Sequence, residues 1–161
     1  MSVNTTYFVD VHGDGEFVDL MPLAREVLET CPYKNDLTAL ELAQLTEKHA
    51  NGKYISVDVQ DRVSGRKLGM LIGRVMCWAR GPRRIKQLRD PELRQLMPYV
   101  ALEVERGCCA RARKMSRRFL SPDELEVLPF RDCWRPACWC TYRAYTPELA
   151  ARECPGRLKR S

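Results

Sequence analysis

One stretch decides the predicted organisation of the chain: Cys133-Trp134-Arg135-Pro136-Ala137-Cys138-Trp139-Cys140. In this C-x4-C-x-C spacing, Pro136 bends the backbone so that thiolates on either side of it can face one centre. A Zn²⁺ ion takes four ligands in a tetrahedron, and cysteine thiolates are among its preferred ligands. The stretch therefore predicts three zinc ligands, Cys133, Cys138 and Cys140, and leaves the fourth to another part of the chain.

The fourth ligand is predicted to be Cys109, with Cys108 and Cys154 as alternatives. Cys108 and Cys109 lie where a basic helix is expected to begin, and the positive end of a helix dipole favours a thiolate. Cys154 follows the stretch in sequence and precedes Pro155-Gly156. An iron–sulfur cluster, which also uses four thiolates, and redox-active thiols or a disulfide pair are the alternatives to zinc.

The segment from Cys108 to Leu120 combines good helix formers with many basic residues. Basic side chains bind phosphates, and aromatic side chains stack on bases, so this composition is typical of a nucleic-acid surface. An acidic protein surface is an equally suitable partner for such a patch. The predicted contact residues are bases on and around this helix and one tryptophan: Arg111, Arg113, Lys114, Arg117, Arg118, Arg135, Arg143 and Trp139.

Residues 109–120, Leu128-Pro129-Phe130, Cys133 and residues 138–145 together resemble a short Cys-rich module of uncharacterised proteobacterial proteins. In that module, a helix after a cysteine runs into Arg-Phe-Leu, then Leu-Pro, and then C-x4-C-x-C-x-Tyr. The resemblance covers about a quarter of the chain. It implies a module and no assigned activity.

Charge is unevenly distributed along the 161 residues, whose net charge is +6. Residues 1–61 hold 11 acidic and 4 basic residues, and the rest of the chain holds the other 10 acidic and 23 basic ones. This asymmetry predicts that the second part meets a polyanion, or that the acidic part shields it. The two isolated cysteines, Cys31 and Cys77, lie in apolar stretches and are predicted to be buried as small hydrophobic residues.

The acidic part is predicted to begin with a β-hairpin of residues 7–11 and 16–20, because two β-rich runs flank a loop with two glycines. Helices are predicted near residues 22–31 and from an N-cap at Asp36 to a stop at Asn51-Gly52.

Further along the chain, residues 53–59 and 68–78 are predicted to form a second hairpin that ends before Gly81-Pro82, with a helix over 68–80 as the alternative. A basic helix is predicted over residues 83–97, with Asp90 as a cap, and residues 99–104 suit a strand or a helix. The predicted class is α+β, with an α+β domain at 1–106 and a basic zinc module at 107–161.

Residues 61–72 are similar to a hairpin common in PilZ cyclic-di-nucleotide receptors. The arginine pair that precedes this hairpin in that family is missing here, and so is the Asp-x-Ser-x-x-Gly that follows it. The resemblance therefore lacks the residues that would contact a nucleotide.

Sequence motifs of hydrolases, zinc proteases, P-loop proteins and dinucleotide-binding enzymes are absent. No window of about 18 apolar residues and no signal-peptide pattern occurs, which predicts a cytoplasmic protein without a membrane span. The sequence thus predicts a non-enzymatic, regulatory zinc protein of a bacterium or phage that binds nucleic acid or a nucleic-acid-handling complex. The alternatives are an adaptor or inhibitor that docks on an acidic protein, and a redox or iron–sulfur sensor. The oligomeric state is left open.

Overall fold

The structure is a computed structural model that describes residues 7–53, 62–135 and 140–160. The chain divides into two compact units, residues 1–80 and residues 81–161. Helices occur in both units, each of which also holds a two-stranded antiparallel sheet, so the predicted α+β class is confirmed. The boundary predicted between residues 106 and 107 falls inside the second unit.

The first unit begins with the predicted hairpin. Strands β1 (Phe8–Asp10) and β2 (Phe17–Asp19) pair antiparallel, with Val9 opposite Val18. The carboxylate of Asp10 accepts the backbone N–H groups of residues 12 to 15 at 2.7–3.3 Å and so holds the connecting loop. These hydrogen bonds, above all the one from Gly15, lower the pKa of Asp10.

Two helices, α1 (Leu20–Thr30) and α2 (Ala39–Ala50), pack against each other after the hairpin. Both were expected, but the cap of α2 is Thr38 and not Asp36. The Thr38 hydroxyl accepts the Glu41 N–H at 3.2 Å, and the Glu41 carboxylate accepts the Thr38 N–H at 2.7 Å. This reciprocal capping satisfies the N–H groups of Thr38 and Glu41 at once.

The prediction of a second hairpin is wrong for residues 68–78, and the alternative of a helix over 68–80 is confirmed, because these residues lie in a long helix, α3 (Gly65–Arg89). Pro82 contributes no backbone N–H, yet the helix continues past it to Arg89. The resemblance to a PilZ hairpin fails for the same reason, while residues 54–59 lie outside the described residues. Six buried residues of the first part of α3 recur every three or four positions, as on one helix face: Leu68, Leu71, Ile72, Val75, Met76 and Ala79. Arg74 and Trp78, in the same part of the helix, are also buried.

The two isolated cysteines of the first unit are less buried than predicted. Cys77 lies off the buried face of α3 and is exposed, so its predicted burial is wrong. Cys31 follows α1 and is partly buried.

Gly81, in the second unit, packs directly against the side chain of Val127, and a Cβ atom at position 81 would overlap a Val127 methyl group. We expect Gly81→Ala to lower the free energy of unfolding by about 1–3 kcal/mol, although alanine gains about 1 kcal/mol of helix propensity. Chemical unfolding followed by circular dichroism measures this change.

Gly69 is the matched control, since it lies in the same helix and a Cβ atom there would have open space around it. Gly69→Ala should raise the free energy of unfolding by about 0.5–1 kcal/mol. Adding Val127→Ala to Gly81→Ala should recover part of the loss by removing the overlapping methyl groups. Equal stabilisation by Gly69→Ala and Gly81→Ala would contradict the close packing at Gly81.

In the second unit, the predicted basic helix over 83–97 is two helices. Helix α3 ends at Arg89, and α4 (Pro91–Leu96) begins after Asp90, whose carboxylate accepts the N–H groups of the next helix at 2.9 and 3.1 Å. The predicted cap at Asp90 is therefore confirmed. The remaining elements are β3 (Tyr99–Glu103), α5 (Ala110–Met115), a 3₁₀ turn (Pro122–Glu124), β4 (Thr141–Tyr145), α6 (Pro147–Glu153) and α7 (Pro155–Leu158).

The helix predicted over residues 108–120 is shorter than expected, because α5 ends at Met115. Leu120 forms a β-bridge with Val100, and its N–H donates to the Val100 carbonyl at 2.8 Å. Because Leu120 is hydrogen-bonded to a strand, α5 cannot continue through it. None of the helices within the described ranges is long and apolar enough to span a membrane.

Strands β3 and β4 pair antiparallel, with Tyr99 opposite Tyr145 and Leu102 opposite Tyr142. Side chains alternate between the two faces of a strand pair, so this register separates two groups of buried residues. Val100, Leu102 and Tyr142 belong to the larger core, while Ala101 and Tyr145 belong to the smaller one. The sheet therefore carries one core on each face.

Candidate functional site

Helix α5 presents its basic residues to solvent, and its single fully buried residue is Ala112. The helix begins at Cys109, whose Sγ accepts the Ala112 N–H at 3.4 Å. At 100° per residue, Arg111 and Arg113 flank Ala112 on either side, and Lys114 lies on the far side of the helix. Arg117 lies two residues beyond the end of the helix, and all four cations are exposed.

Three of the predicted contact residues, Arg111, Arg118 and Arg143, already have carboxylate partners. Arg111 pairs with Glu126 and with Asp132, and it also lies over the Phe130 ring at 4.3 Å from the centroid. The others pair with acidic residues of the same unit, Arg118 with Glu124 and Arg143 with Glu153. Their charges are compensated locally, and the contacts of Arg111 tie α5 to the loop that follows it.

The other four predicted cations form the basic face, which we define as Arg113, Lys114, Arg117 and Arg135. All four are exposed, and none has a carboxylate side chain as partner within residues 7–53, 62–135 and 140–160. All the charged side chains of the second unit lie within those ranges. The positive charge of this face is therefore uncompensated by side-chain ion pairs in the described part of the unit.

Two guanidinium groups of the basic face converge on consecutive backbone carbonyls. Arg113 donates to the carbonyl of Cys108 at 3.4 Å, and Arg135 donates to the carbonyl of Gly107 at 3.4 Å. Each guanidinium carries five N–H donors, so one long contact to a carbonyl leaves others for a ligand. The turn at Gly107, whose φ is +90°, thus places its carbonyl beside the side chain of Arg135, 28 positions further along the chain.

Four cysteines share the larger core of the second unit. Cys108 and Cys133 are buried in it, and Cys109 and Cys140 pack against it. Tyr142 lies in the same core, where its hydroxyl donates to one backbone carbonyl and accepts one backbone N–H, both of residue 126. The structure thus brings together one predicted ligand from the start of α5 and two from the C-x4-C-x-C stretch.

Cys154 lies in the smaller core, on the other face of the β3–β4 sheet. Its Sγ is 3.7 Å from a guanidinium nitrogen of Arg157, and the residue packs with Tyr145. Because the sheet separates it from Cys133 and Cys140, Cys154 does not suit a metal site built with them. The structure therefore does not favour Cys154 as the fourth ligand.

No group of three histidine, cysteine, aspartate or glutamate side chains able to hold a metal occurs in the described parts of the chain. Cys138 and Trp139 lie outside those parts. Cys109, Cys133 and Cys140 consequently do not make a three-ligand site by themselves. The seven described cysteines are free thiols.

Among the described acidic residues of the second unit, Glu124 has the pKa that departs most from its usual value. Its hydrogen bonds with Arg118, first of all, and then with the Ser121 N–H lower its pKa to about 2. A carboxyl whose pKa is lower in the folded state stabilises the fold above its unfolded pKa, and that contribution is lost as the pH falls toward the folded pKa.

We expect Glu124→Gln to lower the free energy of unfolding at pH 7 by about 0.5–1 kcal/mol, a value that allows for the partial exposure of the ion pair. The difference from the unmodified protein should shrink as the pH falls from about 5 to about 2. Denaturant unfolding at several pH values measures it. The control is Asp123→Asn, which removes the carboxylate of an exposed neighbour and should change the free energy of unfolding at pH 7 by less than about 0.5 kcal/mol. A pH-independent effect of Glu124→Gln would assign the loss to packing.

The chain matches no protein-family model, no curated protein and no solved structure. Its resemblance to a Cys-rich proteobacterial module therefore stays a prediction. Function is inferred from the basic face and from the cysteines of the larger core.

Proposed function

We propose that this protein is a non-enzymatic, cytoplasmic, zinc-binding regulatory protein whose basic face binds the phosphates of a nucleic acid. The observation that carries the proposal is the convergence of Arg113 and Arg135 on consecutive carbonyls, with no carboxylate partner for either in the described part of the chain. Lys114 of α5 and Arg117, two residues after the helix, add two more exposed cations.

Phosphate is the ligand that suits this arrangement best. Arginine forks bind phosphate oxygens in pairs, and Lys114 adds a point charge beside them. The second unit holds 18 basic and 10 acidic residues, so its field attracts a polyanion over a longer range than the individual contacts. Both features favour binding that depends on phosphates more than on base sequence.

Zinc has a specific place in this proposal. Cys109 begins the helix that carries Arg113, and Cys133 precedes Arg135 by two residues. A zinc ion bound by Cys109, Cys133, Cys138 and Cys140, with Cys108 as the alternative to Cys109, would fix the two segments that supply the basic face. The four described cysteines at positions 108, 109, 133 and 140 share one core, but no three of them form a group able to hold a metal ion. Zinc binding would therefore have to draw Cys109, Cys133 and Cys140 closer together. Their free thiols are typical of a reducing cytoplasm.

The test is the salt dependence of binding to a fluorescent, random-sequence oligonucleotide. Four phosphate contacts predict that log K falls with log salt with a slope of about −3 to −4. Polyglutamate of matched charge is the competitor that represents an acidic protein surface. Equal competition by polyglutamate, or a slope near zero, would overturn the proposal in favour of a protein partner or of no polyanion.

A further inference from the structure

An open pocket of about 490 Å³ lies in the second unit, beside the basic face. Residues 118–121 form part of its wall and directly follow Arg117 of the basic face. The partly buried Tyr99 ring lines the pocket and packs on one side against Phe119, a buried residue of the smaller core, with ring centroids 4.9 Å apart at 40°. The pocket is open to solvent on much of its surface.

The polar groups that line this pocket divide into occupied and available ones. The Glu124 carboxylate accepts hydrogen bonds from Arg118 and from both the N–H and the hydroxyl of Ser121, so its acceptor capacity is used. The Tyr99 hydroxyl and the Arg160 guanidinium have no hydrogen-bond partner in the described residues, although both line the pocket. The partly exposed Tyr99 ring, its hydroxyl and one cation thus remain for a ligand.

We propose that this pocket receives one unpaired base of a single-stranded nucleic acid, with an adjacent phosphate on Arg160. The inference rests on the proposed function and adds the strand class to it. A flat base suits the wall beside the Tyr99 ring, where stacking tolerates any base identity. A duplex keeps its bases stacked inside, so it could reach the basic face but not fill the pocket.

The experiment compares an oligothymidylate strand of about 12 nucleotides, which is within the usual site size, with its duplex at the same salt concentration. We expect the single strand to bind about 5-fold to 100-fold more tightly, the ratio that stacking of one base supplies. Tyr99→Leu should reduce this ratio to near one, whereas Tyr99→Phe, which keeps the ring, should retain most of it.

Arg160→Gln is the second variant, because Arg160 is exposed and its replacement does not disturb a core. It should weaken binding of the single strand more than binding of the duplex, and melting curves of all variants exclude unfolding as the cause. Equal affinity for the single strand and the duplex, unchanged by Tyr99→Leu and Arg160→Gln, would overturn the pocket inference and leave the proposed function intact. Failure of both nucleic acids to bind would overturn the proposed function itself.

Discussion

Replacing Arg113, Lys114 and Arg117 together by glutamine is expected to lower the affinity for nucleic acid by about 100-fold to 1,000-fold near 0.1 M salt. Each lost phosphate contact removes the release of about one counterion, so three losses multiply. The slope of log K against log salt should become less steep by about 3. Fluorescence anisotropy across a salt series measures both quantities.

The matched control removes three positive charges from exposed residues of the first unit: Arg25→Gln, Lys34→Gln and Lys48→Gln. The net charge falls from +6 by the same amount in both proteins. The control should keep nearly the full slope, since long-range attraction alone does not release bound counterions from a contact.

Equal losses in the two triple variants would show that binding follows net charge, and the basic face would then have no special role. A second comparison isolates Arg135, which the structure places beside Arg113 at the Gly107 turn. Arg135→Gln should reduce the slope by about 1 on its own. Arg111→Gln should change it less, because Glu126 and Asp132 already compensate that charge.

The secondary structure could be predicted where local chemistry decides it. Alternating apolar residues around the loop of residues 12–15 indicate the first hairpin, and Asp90 before a proline indicates the cap of α4. For residues 68–78 the sequence favours a strand, because Gly81-Pro82 and the apolar run before it suggest an element that ends there. The alternative of a helix over 68–80 is the one the structure shows, although that helix continues past Pro82 to Arg89. The helical period, counted over the whole run, is the signal that distinguishes the helix from the strand.

Long-range features of the site could be predicted only in part. Composition identifies basic residues near the cysteines, but sequence does not show which of them meet carboxylates. Arg118 and Glu124 are six positions apart and form an ion pair across a 3₁₀ turn. No sequence motif indicates this pair. The pocket was missed because Tyr99 and Arg160 lie 61 positions apart and meet only through the fold.

The position of Cys154 relative to the other cysteines also required the strand register. Along the chain, Cys154 is as close to Cys140 as many zinc ligands are to one another. Pairing of β3 with β4 places the two cysteines on opposite faces, because the side chains of Tyr142 and Tyr145 point in opposite directions. Spacing alone does not carry that information.

Loss of the proposed zinc ion should have the largest effect on stability. We expect the purified protein to contain about one zinc ion per chain and Cys138→Ser to lose most of it. A structural zinc ion contributes about 10–16 kcal/mol of apparent binding free energy in small domains. This binding free energy is as large as or larger than the whole free energy of unfolding of most domains. We therefore expect the melting temperature of the second unit to fall by about 15 °C or more.

Cys154→Ser is the matched control, because Cys154 lies on the other face of the sheet from Cys133 and Cys140. It should retain the zinc and melt within a few degrees of the unmodified protein. Elemental analysis of anaerobically purified protein, a visible spectrum and melting curves with and without a chelator measure these outcomes. Brown absorbance with bound iron would show that the cysteines hold an iron–sulfur cluster in place of zinc. The protein could instead contain no metal, and its melting could be unchanged by Cys138→Ser and by the chelator. That result would show that packing of its thiols holds the larger core, and that the basic face forms without a metal.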